Sequence, residues 1–149
     1  MPYDRNGLET IDEPGCRALL ATAAIGRLAL SYRALPIVLP VNFAVCGDAI
    51  LIRTGAGAKF EAACHQSVVA FEVDGFDSLN HTGWSVLVQG RARVLHGPAE
   101  LDDARQVGLT PWANPNADAY VTIGMDLVTG RRLGAWYRSP ALPVHPRVH

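Results

Sequence analysis

One segment concentrates the residues able to do chemistry. In Ile50-Leu-Ile-Arg53-Thr54-Gly55-Ala-Gly57-Ala-Lys59-Phe-Glu-Ala-Ala-Cys64 a strand ends in an arginine and a hydroxyl, a two-glycine loop follows, and a helix opens with a lysine in its first turn. A lysine there opposes the positive end of the helix dipole. The same set suits an anion: free N–H groups at the helix start, glycines that admit close backbone approach and two cations can converge on one phosphate. Arginine can grip two phosphate oxygens at once, and lysine supplies a point charge. The residue types fit a plainer arrangement equally well, with Arg53 and Lys59 as solvated charges around an ordinary strand–helix turn. The segment is not a Walker A loop, because no GK[ST] is present. It is not a Rossmann fingerprint either, because Gly55-x-Gly57-x-x-Phe60 lacks the third glycine.

The other chemistry-bearing residues read more quietly. Cys64-His65 is a helix C-terminal pair, and no Cys/His spacing describes a zinc site. His145 and His149 are four apart, but Pro146 lies between them in a coil-like stretch, which argues against a metal pair. No Ser/His/Asp order supports a hydrolase. Glu72, within Phe71-Glu-Val73, reads as the solvent face of a strand, with burial against Arg53 or Arg91 as the alternative.

Composition narrows the classes. The chain has 149 residues, which fits one domain. It is 49% hydrophobic and only 18% charged, against about 25% charged in average chains. A surface this short of charge points to coverage by a subunit or a ligand. Net charge is −1, and the arginines are dispersed, so nothing favours nucleic acid. Twelve of the 13 basic residues are arginine, and Lys59 is the one lysine. The N-terminus shows no signal core, and the apolar stretch from Ala34 to Gly47 is interrupted by Pro36, Pro40 and Asn42. That stretch is too short to span a bilayer, which takes about 20 residues. An odd count of three cysteines without CxxC argues against a disulfide framework. The expectation is a cytoplasmic protein without membrane or nucleic-acid partners.

The elements follow from periodicity. Thr10 to Ala24 is predicted as a helix, with Thr10 and Glu13 at capping-box spacing and Pro14 in the first turn. Cys16, Leu19, Leu20, Ala23 and Ala24 form its apolar face. Strands are predicted at Leu28–Ser31, Pro36–Val45, Ala49–Thr54, Val68–Val73, Trp84–Leu95, Tyr120–Val128 and Leu133–Tyr137. Gly47-Asp48 and Thr129-Gly130 are the expected turns, and Gly90 marks a bulge or tight bend. Short helices are expected at Ala58–His65 and Pro98–Val107, with a loop from Gly108 to Asn116. The reading is mainly β: a small barrel of six to seven antiparallel strands with small helices, covering 1–138, and a Pro-rich tail at 139–149.

Taken in order, GRLA (Gly26–Ala29), LPIVLPVNF (Leu35–Phe43), ILIRTGAGAK (Ile50–Lys59), VVAFEVD (Val68–Asp74), TGWSVLVQGRARV (Thr82–Val94) and VTGRRL (Val128–Leu133) resemble the pyridoxamine 5′-phosphate oxidase-like, FMN-binding split-barrel family, in particular its short actinobacterial-type members. The likeness runs from about Thr10 to Leu133. It implies a homodimer with noncovalent FMN at the subunit interface. It places Pro40, Val41 and Asn42 along the isoalloxazine ring, and Arg53, Thr54 and Lys59 on the phosphate. It sets Trp84 and Ser85 near the cofactor, in the family often from the partner chain, and, by a looser match, Arg131 and Arg132 near the site. Trp84 fits a core aromatic as well, and Asn42 fits an amide that satisfies backbone. The implied activity is flavin-dependent hydride or electron transfer to or from a small organic substrate, with no side chain needed as an acid or base. The departures are a much shorter chain and no counterpart of the C-terminal substrate-phosphate segment, so oxidation of pyridoxamine phosphate itself is not implied. An F420-dependent reductase on the same fold, a noncatalytic flavin- or haem-binding storage or sensor protein, and a cofactor-free structural barrel are the alternatives.

Overall fold

The computed structural model describes residues 3–55 and 57–134, with Lys59 described in its backbone only. The order is β1 (Glu9–Ile11), α1 (Glu13–Leu20), β2 (Ile25–Tyr32), β3 (Leu35–Cys46), β4 (Ala49–Thr54), α2 (Ala58–Cys64), β5 (Val68–Asp77), β6 (Thr82–Val94), α3 (Pro98–Gln106), β7 (Ala119–Gly124) and β8 (Leu127–Leu133). The strands form one antiparallel sheet in the order β1-β8-β6-β5-β2-β3-β4-β7. A further β6–β7 pairing closes six of them into a ring. This is the mainly β split barrel expected, with β1 as an added edge strand. The expected tail at 139–149, and the end of the strand expected at Leu133–Tyr137, lie outside the described residues.

Alternation fills the barrel. Along β3, Val41 and Phe43 point inward, and Ile50 and Ile52 of β4 meet them from the neighbouring strand. Phe71 of β5 is fully buried edge-on to Phe43, with ring centroids 4.8 Å apart. Each such side chain contributes roughly 1.5–3 kcal/mol on burial. Gly26 makes room for this pair, since a Cβ there would lie 2.2 Å from the Phe71 ring. β4 and β7 are buried on both faces. Leu51 and Tyr120 turn outward and pack with Leu95, just after β6, and with Ala104 of α3 in a second, smaller core.

β6 is the pivot of the ring. Its residues Gly83–Gln89 pair with β8, whereas Ala92–Val94 pair with β7 along the same edge. Gly90 sits at the hand-over, where a Cβ would fall 1.8 Å from the carbonyl oxygen of Gly124. The β5–β6 register runs through Gly90 without an extra residue, so the glycine serves close backbone approach and not a bulge.

Two sequence expectations are corrected. The first helix begins at Glu13 and is capped by Asp12, whose Oδ1 accepts the Gly15 N–H at 2.9 Å. Thr10 is instead drawn into β1, opposite Arg131. Asp12 is as good a cap as threonine, and edge pairing takes the residues before it. Thr129-Gly130 is likewise not a turn but the middle of β8, and the chain reverses at Met125-Asp126. Gly130 is required because Cys16 of α1 packs on it, and a Cβ would lie 2.5 Å from Cys16 Sγ. Among the described residues no helix is long and apolar enough to cross a membrane.

Candidate functional site

The exit of β4 assembles the first group of expected site residues. Asn42 and Arg53 are direct cross-strand partners on the outer face. The loop after α3 crosses above them, and its irregular backbone needs hydrogen-bond partners. Asn42 Oδ1 accepts the Trp112 N–H at 3.0 Å. Arg53 donates from Nε to the Ala117 carbonyl at 2.7 Å and from Nη1 to the Leu109 carbonyl at 2.8 Å. The guanidinium also lies 5.8 Å from the Tyr120 ring centroid. Arg53 therefore works in this chain as the clamp of the 108–118 loop, through charge-assisted bonds. Asn42 takes the backbone-satisfying role.

Thr54, Gly55 and Gly57 open into a cleft of about 460 Å³, walled by the loop at Asn114–Ala119, the end of β6 and α3. Thr54 is buried to 9% exposure at its mouth. A Cβ on Gly55 would sit 2.8 Å from Asn114 Nδ2, so glycine is what lets the loop close on the strand end. Gly57 adopts φ +99°, a left-handed conformation that favours glycine. Lys59 lies in the first turn of α2, and its side chain is outside the described residues.

β3 supplies a free edge beside this exit. It pairs with β2 from Leu35 to Asn42, but with β4 only from Asn42 to Cys46. Among the described residues no strand covers the other edge of 35–41. Pro36 and Pro40 fall in this stretch, as proline is confined to uncovered edges. Val41 points into the core, and Pro40 is exposed on the outer face.

Trp84, Ser85 and Arg131 form a second group, across the sheet from the first. Ser85 lies between Asp74 of β5 and Arg131 of β8. Trp84 faces the opposite way, packs on the barrel core, and fits over Gly75, where a Cβ would be 2.8 Å from its Nε1. Ser85, Arg131 and Glu72 line a recess of about 160 Å³. Arg131 Nε pairs with Asp4 at 3.1 Å. The Asp4 carboxyl is held below its usual range, chiefly by the Leu8 N–H and also by Arg131. β5 and β2 separate the two groups, so one chain does not bring them together.

Sequence reasoning missed Arg27. It faces Glu72 across β2–β5, pairs with it at 3.2 Å, and also bridges to Asp74. The partners named for Glu72 in the alternative reading, Arg53 and Arg91, are bonded elsewhere, to the loop and to the Gln66 carbonyl. Burial pushes the Glu72 carboxyl up to about 7, Asp74 adds to the shift, and Arg27 opposes it. The shared parity of Glu72 and Asp74 on one strand was the available signal. Cys64 is buried, with its thiol pushed up to about 11 by burial, and His65 Nδ1 accepts the Val94 N–H at 3.2 Å. Among the described residues no three His, Cys, Asp or Glu side chains gather as metal ligands.

Known proteins resemble this chain over most of its length. The family described as pyridoxamine 5′-phosphate oxidase matches residues 12–132. An uncharacterised protein of Mycobacterium tuberculosis, Rv0080, is 34% identical over 144 residues, covering 93% of this chain and 94% of its own. The structure of the FAD binding protein from Mycobacterium smegmatis is similar at 31% identity and a TM-score of 0.69, covering 83% of this chain and 96% of that one. A conserved protein of unknown function from Corynebacterium diphtheriae is similar at 29% identity and a TM-score of 0.70, covering 85% of this chain and 98% of that one.

Proposed function

The chain belongs to the pyridoxamine 5′-phosphate oxidase family, and from that premise we propose that it is a flavin-binding oxidoreductase acting on a small organic substrate. The observation that carries this reading is the free edge of β3 next to the β4 exit. A planar ring with polar rims is recognised by unpaired backbone groups along such an edge, and the flanking Pro40 gives it an apolar rest. The FMN portion fits these residues: ring along 36–41, phosphate toward Thr54, Gly57 and Lys59. Arg53 contributes by holding the loop.

A homodimer completes the site in this proposal. Val38, Ala29, Ala70, Gln89 and Leu127 run in one row across the outer face. Val38 is 61% exposed and Leu127 53%, and Val68 beside the row is 68% exposed. Apolar residues exposed in such continuity favour a covering subunit. Pro40, Ser85 and Arg131 lie on this same face, so a two-fold related copy can set its Ser85 and Arg131 against the β3 edge. The free thiols at Cys16, Cys46 and Cys64 fit a reducing cytoplasm.

When bound, the flavin supplies hydride or electron transfer at its ring. The chain's own residues position the ring, fix the phosphate end, and exclude water through the 108–118 loop and the apolar outer face. The test is the absorption spectrum and extracted cofactor of the purified full-length protein. A flavin spectrum is expected. Colourless protein active only with reduced F420, or a Soret band, would overturn the assignment.

A further inference from the structure

In the sheet, β8, β6, β5, β2 and β3 stand side by side, with β5 in the middle. An isologous dimer that brings Arg131 on β8 to the free edge of β3 does so twice, once in each direction. The axis that exchanges these two strands runs along β5. The outer face suits that operation. Its row of Val38, Ala29, Ala70, Gln89 and Leu127 folds onto itself about Ala70. The exposed Val38 then meets the partner's Leu127, and the small Ala70 lies on the axis. Further along β5, on the same face, come Glu72 and Asp74.

We propose that Glu72 meets its own copy across this axis and that the two carboxyls hold a proton between them; this rests on the homodimer reading above and adds its regulation. Each copy brings the same charges to the axis. β2 sets Arg27 against Glu72 at 3.2 Å, and Arg27 also bridges to Asp74 on β5 itself. β6 offers Leu87 and Ser85, which are uncharged. β8 brings Thr129 and Arg131 to the recess beside Glu72, and Arg131 is paired with Asp4 at 3.1 Å. Arg27 thus faces two carboxylates, which leaves one negative charge in excess in each copy and two at the axis. Like carboxylates brought together and taken out of water keep a proton to higher pH. In the single chain the Glu72 carboxyl is raised to about 7, by burial first and Asp74 next, with Arg27 opposing. Association therefore draws a proton from solvent, and the dimer is tightest at low pH and loosens as pH rises through this range.

The test follows association of the full-length protein, as purified, by sedimentation velocity at pH 6 and pH 8 and constant ionic strength. The dissociation constant is expected to rise at least about tenfold between the two. Glu72→Gln keeps the shape and loses the titration, so it dimerises equally at both. The axis is read separately by thiol cross-linking in a Cys46→Ser background, since Cys46 is exposed. Val68→Cys, exposed on the outer face of β5, is expected to link to its own copy through a short bismaleimide, because facing sheets stand about 10 Å apart. Leu127→Cys is not, because β8 lies two strands from β5 and its copies stand roughly 20 Å apart. A dissociation constant independent of pH, the parent's pH response in Glu72→Gln, or linking at Leu127→Cys and not at Val68→Cys would overturn this inference alone. A chain that stays monomeric at both pH values would overturn the homodimer reading and this inference with it.

Discussion

Asn42 and Arg53 stand opposite each other on β3 and β4, and both point at the same loop. One accepts the Trp112 N–H, and the other donates to the carbonyls of Leu109 and Ala117. Three hydrogen bonds from two adjacent strands thus fix a segment with no regular structure of its own. Hydrogen bonds from a charged donor contribute about 1.5–3 kcal/mol each. Arg53→Ala is expected to lower stability by about 2–4 kcal/mol in denaturant unfolding and to make the chain protease-sensitive between 108 and 118. Arg53→Lys recovers little, because an ammonium lacks the two-pronged geometry. Unchanged protease resistance in Arg53→Ala would remove the clamp.

Lys59→Ala separates binding from folding. Loss of a charge-assisted phosphate contact costs about 1.5–3 kcal/mol, or roughly 10- to 100-fold in flavin affinity. The unfolding free energy of the flavin-free protein should stay within about 0.5 kcal/mol of the parent, because the contact removed is to the cofactor. Wild-type flavin affinity in this variant would exclude Lys59 from the phosphate site.

Glu72 makes stability depend on pH in an unusual direction. Its carboxyl is raised from an ordinary 4.5 to about 7, so between these values the folded chain holds a proton that the unfolded chain has lost. Stability therefore falls as pH rises through that window. Glu72→Gln should match the parent at pH 4 and exceed it at pH 8 in thermal unfolding. Parallel pH profiles for the two proteins would contradict the assignment.

Gly130→Ala tests the seat of α1. The added Cβ meets Cys16 Sγ at 2.5 Å and Ile11 Cβ at 3.2 Å. Overpacking of this kind costs about 1–3 kcal/mol. Cys16→Ala in the same chain should recover part of that loss, giving a non-additive cycle in denaturant unfolding.

Thiol labelling should distinguish the cysteines. Cys16 and Cys64 are buried, and burial raises both thiols, Cys64 to about 11. Cys46 at the end of β3 is exposed. Native protein is expected to take one adduct at neutral pH by mass spectrometry, at Cys46, and three on unfolding.

The barrel was legible because its strands alternate. Ile37 to Val45 and Ile50 to Ile52 announce a buried face by period two, and the structure keeps both. The glycines were harder. Gly130 looks like a turn, but its missing side chain serves a helix more than a hundred residues away in sequence. Of the candidate site, the cleft at Thr54 and the glycine loop was legible in outline. The use of Arg53 was not, because its partners, Leu109 and Ala117, are backbone carbonyls with no side-chain signature. Arg27 was missed for a similar reason: its meaning depends on strand pairing, which brings Glu72 beside it across 45 residues.

The hand-over at Gly90 also orders events during synthesis. β6 exchanges one neighbour for another at that point, and both neighbours, β7 and β8, lie downstream of it. A nascent chain that has not released residues up to Gly124 holds an open sheet, with the edges of β4 and β6 unsealed. Such edges template pairing with other chains. Closure must wait for contacts of long sequence separation, which form slowly. The barrel is therefore vulnerable to aggregation on the ribosome until its last two strands emerge, and truncation ahead of β7 leaves it so permanently.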